Sequence, residues 1–154
     1  MNILTDPAPK TVTIGGAEVP INSDFRASVR FEMMMEDSSL SELDKTVKAL
    51  SLYYDTGDLK NSFKPPAPIE EAIDKMLWFY RAGKGAQIYS YSYDDEYIFA
   101  AFLEQYGVDL QDIPYLHWWK FKAMFLGLKS DSRIVEIMGY RSIDITSKMS
   151  NDQK

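Results

Sequence analysis

The chain has 154 residues, a length that fits one domain able to bury a core without staples; it contains no cysteine, which removes disulfides and thiolate metal sites. Seventeen Lys and Arg against 23 Asp and Glu give a net charge of −6. The basic residues are scattered rather than gathered into a stripe, so a nucleic-acid partner held through phosphate contacts is not expected. MNILTDPAPK lacks the basic lead and apolar run of a signal peptide, no stretch is apolar and long enough to span a bilayer, and the expected location is the cytoplasm.

Residues 1–10 hold two prolines and little apolar content and are expected to be mobile. In TVTIGGAEVPI, Gly15-Gly16 reads as a two-residue turn pairing Ile14 with Ala17 and Val12 with Val19, which puts all four on one face of a β-hairpin. Ser23 and Asp24 can cap a helix to about Met35, with Phe25, Val29 and Met33 at apolar spacing. Ser39-Leu40-Ser41-Glu42 reads as a capping box for a second helix to about Tyr54, with Leu40, Leu43, Val47, Leu50 and Tyr54 as its stripe. The proline-rich run 61–68 cannot continue a helix and separates an N-terminal part, ending near residue 57, from a C-terminal half, 69–145.

A third helix, Ile69 to Ala82, is expected to bury Ile69, Ala72, Ile73, Met76, Leu77 and Tyr80, leaving Trp78 facing outward among Glu71, Asp74 and Arg81. The alternation in IYSYSY suggests a short strand carrying Tyr89 and Tyr91. DDEYIFAAFLEQY reads as a fourth helix, opened by acidic residues and closed by Gly107. Ile98, Phe99, Phe102, Leu103 and Tyr106 fall on one side of it and Tyr97 on the other. From Pro114 to Leu128 a helix apolar nearly all round, with Leu116, His117, Trp118, Trp119, Phe121 and Phe125, is expected at the centre of a bundle. A last helix from Ser130 or Asp131 to about Arg141 precedes a fraying tail, 146–154.

Few residues suggest chemistry. His117 is the sole histidine, and a histidine on an apolar helix is ordinarily a packed residue with a hydrogen-bonded nitrogen. Asp94-Asp95-Glu96 point in three directions on a helix, which suits capping better than a metal. Gly15-Gly16 and Gly83-Lys84-Gly85 are too short for a phosphate loop. HWWKFK scatters its rings round a helix axis instead of forming a stacking platform. No catalytic residue, metal site or cofactor is expected.

Residues 93–128, YDDEYIFAAFLEQYGVDLQDIPYLHWWKFKAMFLGL, resemble the phage gene-product-fifteen family, and the resemblance extends more loosely over 65–145. It implies a protein encoded among the tail-morphogenesis genes of phages and prophages of Gram-positive bacteria, between the major tail protein and the tape measure. The implied role is that of a tail assembly chaperone in the host cytoplasm, holding the tape measure protein while the tail tube polymerises. The partners so implied are the tape measure protein, the major tail protein and further copies of the chain itself. The resemblance brings no catalytic or metal-binding residues.

The expected architecture is therefore a mostly α-helical single domain, residues 11–145, of five to six helices with a small N-terminal hairpin, acting by binding protein. Trp78, Tyr89, Tyr91 and Tyr97 are the candidate binding residues. Rival readings are a structural virion protein of the tail or connector, which would persist in purified particles, and an enzyme using His117.

Overall fold

The computed structural model describes residues 2–55, 63–81, 94–129, 132–136 and 138. The protein is mostly α, with one antiparallel hairpin near its N-terminus. The hairpin pairs β1 (Thr11–Ile14) with β2 (Ala17–Pro20) in the register Val12↔Val19 and Ile14↔Ala17. Gly15 and Gly16 both adopt positive φ, 59° and 77°, the left-handed geometry that a two-residue turn of this kind requires. A Cβ at Gly15 would also lie 2.9 Å from the Ala67 carbonyl oxygen. Val12 and Ile14 are buried, whereas Val19 is half-buried and Ala17 exposed.

Five helices follow: α1 (Phe25–Met35), α2 (Glu42–Tyr54), α3 (Ile69–Tyr80), α4 (Asp95–Tyr106) and α5 (Trp118–Leu126). Asp24 caps α1 by accepting from the Arg26 N–H. The α2 cap is Ser41, which accepts from Asp44 N–H, and not Ser39, whose hydroxyl turns back to Asp37. Gly107, at φ 66°, closes α4. The last expected helix is helical at 133–136 and 138, with Ile134 fully buried; its remainder, like the expected IYSYSY strand and the tail 146–154, lies outside the described residues.

The chain divides into two compact units, Met1–Lys84 with Tyr115–Lys122, and Gly85–Pro114 with Ala123–Lys154. Within the first unit α3 packs on β1 and α2. The first unit buries Val12, Ile14, Phe25, Phe31, Leu50, Tyr53, Phe79 and Trp118. In the second, Phe102 is fully buried against Tyr106 and Phe125, with ring centroids 5.6 and 6.4 Å away. Gln105 there donates to the Gly127 carbonyl (2.7 Å) and accepts from the Lys129 N–H (2.6 Å). These bonds satisfy main-chain groups just beyond the end of α5.

Three apolar stripes lie differently from the expectation. In α2 the buried residues are Ala49, Leu50, Tyr53 and Tyr54, while Leu43 and Val47 are exposed, because nothing in the described unit covers the first turns of that helix. In α3 the buried arc is Ala72, Met76 and Phe79, and Ile69 at the helix start is exposed. In α4 Ala101 takes an inward position, and Leu103, expected in the core, is 45% exposed.

Candidate protein-binding surface

The segment before α5 is extended rather than helical, which moves the helix start from Pro114 to Trp118. It runs antiparallel to the residues that lead into α1. Phe25 N–H donates to Leu116 O (2.7 Å), and Trp118 N–H donates to Ser23 O (2.8 Å). The second carboxylate oxygen of Asp24 accepts from the Leu116 N–H (2.9 Å). One aspartate thus caps α1 and holds the segment that starts α5. Ser23 Oγ and the Tyr115 hydroxyl are 2.6 Å apart, and Lys10 Nζ sits 4.9 Å from the centre of the Tyr115 ring.

His117 lies within this junction, 2% exposed. Its Nε2 is 2.7 Å from the Pro9 carbonyl oxygen, and its Nδ1 accepts from the Trp119 N–H at 3.0 Å. A carbonyl can only accept and an amide N–H can only donate, so the ring is neutral with its proton on Nε2. Burial lowers its pKa, more than the Pro9 carbonyl restores, and Lys120 and Lys10 lower it further. Both nitrogens are thus engaged by main chain, one more than expected. Pro9 is pinned in the process, so the N-terminal stretch is held at that end rather than wholly mobile.

The two tryptophans that follow serve the end of α3. Trp118 donates its indole N–H to the Tyr80 carbonyl (3.1 Å), and Trp119 donates its own to the Phe79 carbonyl (2.8 Å). The last carbonyls of a helix have no partner within it, and here two consecutive ones are satisfied by two consecutive indoles. Trp118 is fully buried, stacked on Phe121 (5.7 Å) and Tyr80 (6.1 Å). Lys122 Nζ lies 5.1 Å from the centre of the Trp118 ring and 5.6 Å from that of Tyr80, within cation–π reach.

Glu32 is the polar outlier of the first unit. It is buried and accepts a hydrogen bond from the Tyr80 hydroxyl at 2.6 Å, but its other carboxylate oxygen has no partner. Burial raises its pKa, with Tyr80 and the charge of Lys122 acting against that rise.

Trp78 is 53% exposed and meets the Trp119 ring edge-on, at a centroid distance of 5.6 Å. Trp119 in turn stacks on buried Phe79 at 5.8 Å. An exposed ring is therefore backed by a half-buried one and then by the core, which fixes its orientation without covering it. Tyr97 is 41% exposed on α4, in the other unit, and Tyr89 and Tyr91 lie outside the described residues. Of the residues expected in the core, Phe102, His117, Trp118, Phe121 and Phe125 are buried, whereas Phe99, Leu116 and Trp119 are half-buried. Leu126 is 78% exposed, so α5 is not apolar-packed all round. Phe79, Tyr80 and Glu32 were not singled out as site residues from the sequence; their importance comes from what α5 brings to them.

Among the described residues no group of His, Asp and Glu could hold a metal ion, and no helix is long and apolar enough to cross a membrane. A family model described as Bacteriophage Gp15 protein matches residues 4–154. The match takes in the hairpin and first helices, beyond the 65–145 that carry the resemblance in sequence. No curated protein and no solved structure matches the chain.

Proposed function

The chain belongs to the Bacteriophage Gp15 protein family and is a phage structural or morphogenesis protein; on that premise we propose that it is a non-enzymatic tail assembly chaperone whose partner is the tape measure protein. The observation that carries the reading is the exposed Trp78 braced on Trp119 and Phe79. Tryptophan is enriched among interface hot spots, and a ring held in place loses little side-chain freedom when a partner covers it. The two engaged nitrogens of His117 support a binding role over a catalytic one, since a general base needs a free lone pair.

Trp78→Ser tests the reading through two measurements, unfolding free energy and affinity for the tape measure protein of the same phage. Stability should fall by about 1 kcal/mol, the worth of one aromatic pair. Affinity should fall about thirtyfold or more, the effect of a hot spot of about 2 kcal/mol. Unchanged affinity would remove Trp78 from the interface and the reading with it.

A further inference from the structure

Leu43, Val47, Leu50 and Tyr54 follow one another along α2 at intervals of four, three and four residues, the spacing of a coiled-coil seam. The seam changes character half-way. Leu50 and Tyr54 are buried, and Tyr54 donates its hydroxyl to the Ala72 carbonyl of α3. Leu43 and Val47, on the same line nearer the helix start, are 73% and 57% exposed. Asp44 and Lys48, one turn apart and both exposed, flank this bare half on one side. Among the described residues neither belongs to an ion pair. Lys48 also borders a hollow that holds Asp37, but that carboxylate accepts from the Ser39 N–H (2.9 Å) and hydroxyl (2.6 Å). The other flank is uncharged: Thr46, half-buried, donates its hydroxyl to the Glu42 carbonyl (2.9 Å). Lys45 is engaged elsewhere, donating to the Met35 carbonyl (3.2 Å).

A twofold axis brings residue i of one chain to residue j of another and j to i, so a patch that closes on itself must be self-complementary. This one is. With α2 laid antiparallel on α2 of a second copy, Leu43 meets Val47 of the second copy and Val47 meets its Leu43. On the flank the same operation sets Asp44 beside the second copy's Lys48, and Lys48 beside its Asp44. A parallel copy would oppose like charges, and a helix with a flank of one sign would be attracted by one of these residues and repelled by the other. The contact is small, so the association expected of it is weak and reversible, with a Kd of about 10 to 100 μM.

We propose that the exposed start of α2 is a self-association surface, on which two copies of the chain pack antiparallel, Leu43 on Val47, with Asp44 of each paired to Lys48 of the other. The inference goes beyond the chaperone reading and is independent of Trp78.

Sedimentation equilibrium of the full chain, at about 150 mM salt to screen the repulsion between two chains of like net charge, reads the association directly. Between about 1 and 300 μM the mass should rise from that of one chain toward that of two and no further, since a twofold contact closes. Asp44→Lys and Lys48→Asp each leave the flank with a single sign, and each should weaken self-association about tenfold or more. An equimolar mixture of the two variants restores both charge pairs and should associate within about threefold of wild type. Leu43→Ser, an exposed change expected to leave the thermal midpoint in place, should abolish the dimer, and it keeps the test open if Asp44→Lys in the first turn of α2 perturbs folding. A wild-type chain that stays monomeric throughout, because another protein or nothing covers this face, overturns the proposal. So does a mass that passes beyond the dimer, indifference to the charge reversals and to Leu43→Ser, or a mixture of the reversed chains that stays monomeric. Trp78→Ser should leave self-association unchanged, so failure here and failure of the chaperone reading give different results.

Discussion

The junction between α3 and α5 and the exposed face between α1 and α2 put their polar side chains to different ends. At the junction every side chain with a polar atom that the sequence makes conspicuous, His117, Trp118 and Trp119, is spent on main-chain carbonyls or amides. Between α1 and α2 Arg30 and Lys48 are exposed instead, beside Asp37, whose carboxyl pKa is lowered by the hydrogen bonds from Ser39 and also by the charge of Lys48. Satisfied polar atoms specify a fold, whereas unsatisfied exposed ones are available to a partner. The run HWWKFK, which looks most like a functional motif, is therefore mainly structural, and only Trp78, outside it, carries its aromatic wall to the surface.

The sharpest way to break this contrast is to delete the ring at its centre. Trp118→Ala should cost about 3 to 5 kcal/mol in chemical denaturation, the range for removing a large buried aromatic, and Trp119→Ala less, because that ring is half-buried. A loss below about 1 kcal/mol for Trp118→Ala would mean that the junction does not hold the unit together. Next in size is Tyr53→Phe. The fully buried Tyr53 hydroxyl lies 2.7 Å from that of equally buried Ser28, and removing it strands Ser28 at a cost of about 1 to 3 kcal/mol. A double variant with Ser28→Ala should recover part of that loss, and failure to do so would show that the pair is not coupled.

The local parts of this fold were legible in sequence. Helix identity, the hairpin register, the Asp24 cap and the Gly107 stop all rest on contacts within a few residues, and each was found where the pattern put it. What the pattern misplaced depends on distant chain. Tyr115–His117 continues the periodicity of the helix it precedes, yet it is not helical because the residues around Asp24, far away in sequence, bond its main chain and form a single bridge with it. The buried arc of α3 is set by the β1 and α2 surfaces laid on it, which favour Phe79 over the equally apolar Ile69. Trp78 could be placed outward by periodicity alone, but its brace on Trp119 could not.

Buried ionisable groups sharpen the contrast further through pH. His117 has its folded pKa below the ordinary 6.5, so the unfolded chain takes up a proton first. The stability tied to the neutral ring is fully present above about pH 6.5 and is lost as pH falls toward the folded value. In denaturation midpoints measured from pH 7.5 down to 5, wild type should lose stability over this window, and His117→Gln, less stable at pH 7.5, should lose less. Parallel slopes would mean that His117 is not held neutral by its two main-chain partners.

Glu32 should give the smallest effect, and of opposite sign. Its folded pKa lies above the ordinary 4.5 because burial outweighs the Tyr80 hydrogen bond and the charge of Lys122. The folded state therefore binds the proton more tightly, and the stability this contributes is present below about pH 4.5 and lost as pH rises through the folded value. To the extent that Glu32 is charged as pH rises, that charge sits on a buried carboxyl with an unpartnered oxygen beside the Tyr80 hydroxyl, an arrangement that costs stability. Glu32→Gln keeps an oxygen to accept from Tyr80 and removes the charge, though its amide group inherits the unpartnered position. The variant should be as stable as wild type or slightly more so at pH 7, and its advantage should shrink toward pH 4.5, where wild type carries the proton itself. A clear loss of stability at pH 7 would show that the carboxylate and Lys122 form a net stabilising pair, and that the junction depends on charge as well as on its main-chain bonds.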